Sequence, residues 1–206
     1  MKTQKQKTLE LVQLSMLSAL VVVLQLLSAL IPPIAGMVSI TLTLIPVVIG
    51  AILFGKKGGA ILGFVFGLIV LINCIAGLDP GGNILWNTNP LLTALLCLLK
   101  GTLAGFIPAV VYSAIVGNKT VSSTKKLFTT VLSAMLAPIV NTSIFVIGML
   151  LFFKDTLTVW ADGKPIMLYI LVGLAGINFL IEFIINIILS PAIIRIVDVV
   201  KNKRTH

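Results

Sequence analysis

Long apolar runs, broken only by short polar connections, constrain this chain more than any other feature. Uninterrupted apolar stretches fall near residues 8–31, 39–54, 59–76, 90–116, 127–153 and 166–199. Each is of the order that crosses a bilayer as a helix, about 17–25 residues, although the second is short and the last long. The chain is 58% hydrophobic and 10% charged, far from the soluble balance of about half apolar and a quarter charged. In lipid an apolar surface needs no hiding. The problem becomes pairing every backbone amide, which helices and closed barrels solve. The runs here are continuous and do not alternate every second residue as barrel strands do. The expectation is an all-α integral membrane protein, one domain over residues 1–206, built as a six-helix bundle. The last stretch reads either as one tilted helix loosened near Pro191 or as a helix preceded by an interfacial piece.

The net charge of +9 is carried by clusters at the ends of apolar runs, a pattern of membrane orientation and not of nucleic-acid binding. With six spans, Lys2, Lys5, Lys7, Lys56, Lys57, Lys119, Lys125, Lys126, Arg195, Lys201, Lys203 and Arg204 gather on one side, while only Lys154 and Lys164 lie on the other. Twelve against two places both termini in the cytoplasm. The first apolar run is longer than the 7–15 residues of a signal-peptide core, so it reads as a span. Trp86 and Trp160 fall in the outside connections, where interfacial aromatics belong. Cys74 and Cys97 lie inside apolar segments and read as small hydrophobes; His206, the single histidine, ends the chain, so no metal or cofactor is expected.

The stretch Gly50-Ala-Ile-Leu-Phe-Gly55-Lys56-Lys57 approaches a phosphate-binding loop but carries Lys57 where a Ser or Thr hydroxyl would meet magnesium. It reads as a tight inside turn, Gly55 to Gly59, and the isolated chain is expected neither to bind nor to hydrolyse ATP. Gly59, Gly63 and Gly67, and again Gly101 and Gly105, recur every fourth residue, which lets neighbouring helix backbones approach closely. Ser15 and Ala19, beside Ser18, form a smaller face on the first helix that serves either a partner or packing within the bundle.

Polar residues in the spans cost free energy unless they pair or line a cavity. Asn178, Glu182 and Asn186 are spaced by four on one stripe. Asn141 lies mid-span, and Lys100 lies about 15 Å along its helix from Pro90. Lys100 and Glu182 either pair with each other or meet a ligand. The connection from Gly77 to Pro90 brings Trp86, Asn87 and Asn89 to the outside mouth as a lid for a small polar ligand. The expected binding residues are thus Trp86, Asn87, Asn89, Lys100, Asn141, Asn178 and Glu182.

Three function classes remain: a substrate-binding transport subunit, an intramembrane enzyme, and an assembly protein or small channel. With no histidine or aspartate in the membrane, most enzymatic routes close.

The segment Ile45-Pro-Val-Val-Ile-Gly-Ala-Ile-Leu-Phe-Gly-Lys-Lys-Gly-Gly-Ala-Ile-Leu-Gly-Phe-Val-Phe-Gly67, with Asn89-Pro90, Lys100-Gly101 and Asn178-Phe-Leu-Ile-Glu182, resembles the S component of energy-coupling-factor vitamin transporters, pantothenate- or riboflavin-type. That resemblance implies a vitamin-binding subunit of an ABC importer in the bacterial cytoplasmic membrane. It also implies docking on a transmembrane coupling subunit driven by two ATPase subunits, through an Ala-x-x-x-Ala motif in the first helix. Ser15 and Ala19 occupy the matching positions, with serine at the first. The family binds its vitamin with the outside loops and outer ends of the later helices, here the Gly77–Pro90 connection, Asn141 and Asn178. Few aromatics, many amides and a lysine able to meet a carboxylate favour pantothenate over riboflavin.

Overall fold

A computed structural model describes residues 4–29, 42–117, 121–174 and 176–205. These residues form helices and short turns: α1 (Gln4–Ala29), α2 (Leu44–Ala76), α3 (Pro80–Thr88), α4 (Pro90–Ile115), α5 (Ser123–Phe152), α6 (Lys154–Ala161), α7 (Ile166–Tyr169) running into a π-helical segment (Ile170–Leu174), and α8 (Gly176–Thr205). Five of the helices are long and apolar enough to cross a membrane, and a pair bent by 81°, Lys154–Ala161 with Ile166–Leu174, is a sixth candidate.

The 33 residues of α2 are not one straight rod. Gly55 adopts φ 66°, ψ −156°, outside helical space. Across that break a Cβ built on Gly50 would collide with the Leu62 side chain, and one on Gly59 would stand 3.1 Å from the Ala51 Cβ. Residues eight to twelve apart in a straight helix would be about 12–18 Å apart, so the chain reverses at Gly55. Only glycine takes that backbone conformation without steric cost.

The returning arm of α2 packs on α4 in the most extensive helix contact of the molecule, followed by α4 on α5, α1 on α2 and α5 on α8. At its centre are the periodic glycines. A Cβ on Gly59 would strike the carbonyl oxygen of Gly105, one on Gly63 that of Gly101, and one on Gly67 that of Cys97. As one index rises by four the other falls by four, so the two helices run antiparallel in register. The glycine spacing thus serves packing within the chain.

Two apolar clusters result. The larger joins Val21, Leu44, Val47, Leu62, Phe66, Ala104, Tyr112, Ala134, Ala137, Ile193 and Val197 of the five long helices. The smaller sits at one end and joins Leu85, Leu96, Met149, Phe153, Leu157, Ile170 and Leu174, drawn from α3, α6 and the π segment as well as the ends of α4 and α5.

The connection from Gly77 to Pro90 holds a helix where the sequence reads as a turn. Asp79 accepts a hydrogen bond from Gly82 N–H at 3.1 Å and Pro80 follows at the first helical position. Both features start helices, and they outweigh the cost of Gly81 and Gly82. The last apolar stretch holds Ile166–Leu174, which ends in the π-helical segment, and α8 from Gly176, with Pro191 inside α8.

Candidate functional site

A small cavity lies where the two apolar clusters meet. Its walls come from α2 (Val70, Cys74), the start of α3 (Asp79, Gly81, Gly82, Leu85), α4 (Thr93, Leu96, Cys97, Lys100), α5 (Phe145) and α6 (Trp160). Lys100 is the cation on this wall, and its Nζ stands 4.8 Å from the centroid of the Phe145 ring. A ring face attracts an ammonium by about 0.5–2 kcal/mol, more when desolvated, which stabilises the charge without neutralising it. Among the described ion pairs is Lys126–Asp198, far along the chain from this site; none engages Lys100. The carboxylate on the same wall, Asp79, is occupied in capping α3. Thr93, 1% exposed, donates its hydroxyl to Asn89 O at 2.9 Å.

The enclosed space is about 30 Å³, room for roughly two waters. A larger ligand enters only if a wall moves. Trp160 is the shared partition: it also lines an open recess of about 660 Å³ with Ile84, Asp155, Thr156, Val159 and Asp162.

The sequence-derived residues distribute unevenly around this cavity. Lys100 is on its wall. Asn141, 9% exposed, lies one helical turn from Phe145 on the same face of α5, and its Oδ1 has no hydrogen-bond partner. Glu182, 5% exposed, and Asn186, 2% exposed, face the bundle interior from α8, with Asn186 Nδ2 donating to the Glu182 carbonyl at 2.8 Å. Asn178 belongs to α8, but its side chain lies outside the described residues. The lid residues do not reach this wall. Trp86 packs against the large apolar cluster, exposed Asn87 donates to Asn83 Oδ1 at 3.1 Å, and Asn89 caps α4 by accepting from Leu92 N–H at 3.1 Å. On α1, Ser15 and Ala19 are exposed and Ser18 is half-buried, so the first two are not consumed by packing within the described bundle.

Sequence reasoning missed the apolar and aromatic walls, Phe145 and Trp160 above all. An apolar side chain in a span reads the same whether it faces lipid or a cavity. Asp79 carried a usable signal in the Asp-Pro pair that starts α3.

A family model described as thiamine transporter protein (Thia_YuaJ) matches residues 11–202. A similar curated protein is the pantothenic acid transporter PanT of Lactococcus lactis subsp. cremoris (strain MG1363), 28% identical over 200 residues that cover 93% of this chain and 94% of the relative. The match of the family model over nearly the whole length, on a multi-pass helical fold of the cell membrane, settles the family: this chain belongs to the thiamine transporter protein family, whose members are vitamin-binding S components of energy-coupling-factor transporters.

Proposed function

We propose that this chain captures pantothenate from outside the cell and delivers it to an energy-coupling-factor importer. The single observation that carries the substrate is the Lys100 ammonium, set on a cavity wall against the Phe145 ring with no carboxylate pairing it. A half-buried cation of this kind prefers an anionic ligand group. Pantothenate brings a carboxylate, with an amide and two hydroxyls for the interior carboxamides. Thiamine, for which the family is named, carries a permanent positive charge that Lys100 would repel. The similarity to a pantothenic acid transporter supports the same choice.

Titration of the purified chain with pantothenate, thiamine and riboflavin tests this reading. Pantothenate binding alone is the expected result. Thiamine binding without pantothenate binding overturns it.

In this reading the chain crosses the membrane six times with both termini in the cytoplasm: the two arms of α2 form one hairpin turned at Gly55, and the bent pair Lys154–Ala161 with Ile166–Leu174 does not cross. The bilayer-facing surface formed by Ser15, Ser18 and Ala19 on α1 docks on a transmembrane coupling subunit, which two ATPase subunits drive. The exposure of Ser15 and Ala19 supports this, because small residues open to the bilayer allow a partner backbone close approach. Ala19→Trp is expected to abolish assembly with the coupling subunit and uptake, while vitamin binding by the isolated chain is unchanged. Normal assembly of that variant moves the docking face elsewhere.

A further inference from the structure

Cys74 and Cys97, the two cysteines of the chain, are used by nothing assigned so far. Both are free thiols, 2% and 5% exposed, and both stand on the wall of the Lys100 cavity. The glycine seam fixes how they meet. Cys97 of α4 lies level with Gly67 of α2, and Cys74 follows Gly67 by seven residues, two turns and about 10 Å further along the same face. A helical side chain leans toward the N-terminus of its own helix. Because the two helices are antiparallel, Cys74 leans back toward the level of Gly67 while Cys97 leans toward the level of Cys74. In this way the thiols reach hydrogen-bonding contact, with Lys100 and Asp79 near enough to act on both electrostatically. Gly82 of α3 lies against the pair: a Cβ built there would strike the Cys74 Sγ.

Two sulfurs held like this suit one chemistry better than others. A disulfide needs Cα atoms within about 7 Å, and the seam keeps these about 10 Å apart. An ion between the sulfurs has no such requirement: thiolate bonds of about 2.3 Å on either side span about 4.6 Å, near the separation of two thiols in contact. Among the described residues no three His, Cys, Asp or Glu converge to hold a metal, which leaves no zinc-type site there and points to an ion that takes two ligands. Thiolates select soft ions such as Cu(I). Asp79, the carboxylate on the same wall, accepts Gly82 N–H at 3.1 Å through Oδ1, and its oxygens suit hard ions instead. The volume agrees. About 30 Å³ takes one ion without moving a wall, whereas a vitamin needs the cavity to open. We infer that Cys74 and Cys97 form a two-coordinate site for a soft monovalent cation of the Cu(I) and Ag(I) class. Binding forms two sulfur–metal bonds and releases the two thiol protons to water, with no electron transferred. The complex of two thiolates with such an ion keeps one negative charge, which the Lys100 ammonium on the same wall offsets.

The test titrates the purified full chain, without oxygen, with Cu(I) held by a chromophoric chelator. Wild type is expected to take one ion per chain, and X-ray absorption to show two sulfur neighbours. Cys74→Ala and Cys97→Ala are each expected to lose that stoichiometric binding, since one thiolate alone does not hold the ion against the chelator. Lys100→Met is expected to keep the stoichiometry and to weaken affinity by about 10- to 100-fold. Melting temperature without metal shows whether each variant is folded. Where an alanine variant is not, the serine variant replaces it, its oxygen being a poor ligand for a soft ion. Failure of wild type to take an ion from the chelator overturns the inference, as does undiminished binding by either cysteine variant, which would place the ion elsewhere on the chain. Tight stoichiometric binding of Zn(II) at the same cysteines overturns the two-coordinate assignment. The titration contains no vitamin, so its outcome leaves the substrate reading where it stands.

Discussion

The α2–α4 seam and the capping end around α3, α6 and the π segment are built on opposite principles. At the seam glycine backbones touch directly, carbonyl against Cα, over the three levels Gly59–Gly105, Gly63–Gly101 and Gly67–Cys97. At the capping end, short helices of nine and eight residues hold together through a few large side chains, Leu85, Leu157 and Ile170 among them. The cavity draws Val70, Cys74 and Cys97 from the first region and Leu85, Leu96 and Trp160 from the second. A backbone-to-backbone contact has no side chain that can move aside. A cluster of side chains on short helices can open by small rotations. On that contrast the cavity is expected to widen on the side of α3 and α6, and not on the side of α2 and α4.

The largest effect that probes this contrast is at the seam. Gly63→Leu places a side chain against the Gly101 carbonyl, and the expected cost is about 3 kcal/mol or more, seen as loss of monodisperse protein in detergent. Normal yield and melting would mean that the seam gives way as easily as the cap. Next comes a matched pair. Leu62 and Leu157 are both 0% exposed, yet Leu157→Ala is expected near the low end of the range of about 2–5 kcal/mol for such truncations, and Leu62→Ala nearer the high end, because only the capping end can collapse into the space. Thermal or denaturant unfolding of the two variants under one condition measures the difference. Lys100→Met changes function without fold: pantothenate affinity is expected to fall by about 10- to 150-fold with melting unchanged and no need for a compensating Glu182→Gln. If folding is lost and the second substitution restores it, the lysine serves structure. The smallest effect is at the start of α4. Asn89→Ala removes the cap on Leu92 N–H and is expected to cost about 1 kcal/mol while leaving affinity almost unchanged; a large affinity loss would return Asn89 to the ligand.

These regions also differ in how much of them the sequence discloses. The seam is legible because a four-residue spacing keeps glycines on one helix face, and small residues at that spacing have few other uses in lipid. Lys100 and Asn141 are legible because charge and amide groups at membrane depth are costly enough to require a reason. The capping helix α3 is hidden by Gly81 and Gly82, which read as turn residues until the Asp79 cap and Pro80 are given their due. Trp86 and Asn89 illustrate the converse: both sit in the right connection, yet one packs into the large apolar cluster and the other closes a helix end. Asn73 lies three residues from the end of α2, where an amide passes for ordinary boundary polarity. Its burial is something no single sequence reports.

The glycine seam has a further consequence, in entropy. Glycine has no χ angle, so its contacts form without freezing a rotamer, whereas each large side chain ordered in the capping cluster gives up roughly 0.5–2 kcal/mol of rotameric freedom. The seam's main ordering cost is backbone freedom, already lost when each helix forms. Its tightness therefore does not depend on selecting one rotameric arrangement from many, and warming does not loosen it by that route. The capping end has that reservoir of rotamers to recover whenever it opens, so opening is favoured by entropy as the temperature rises while the seam keeps its shape.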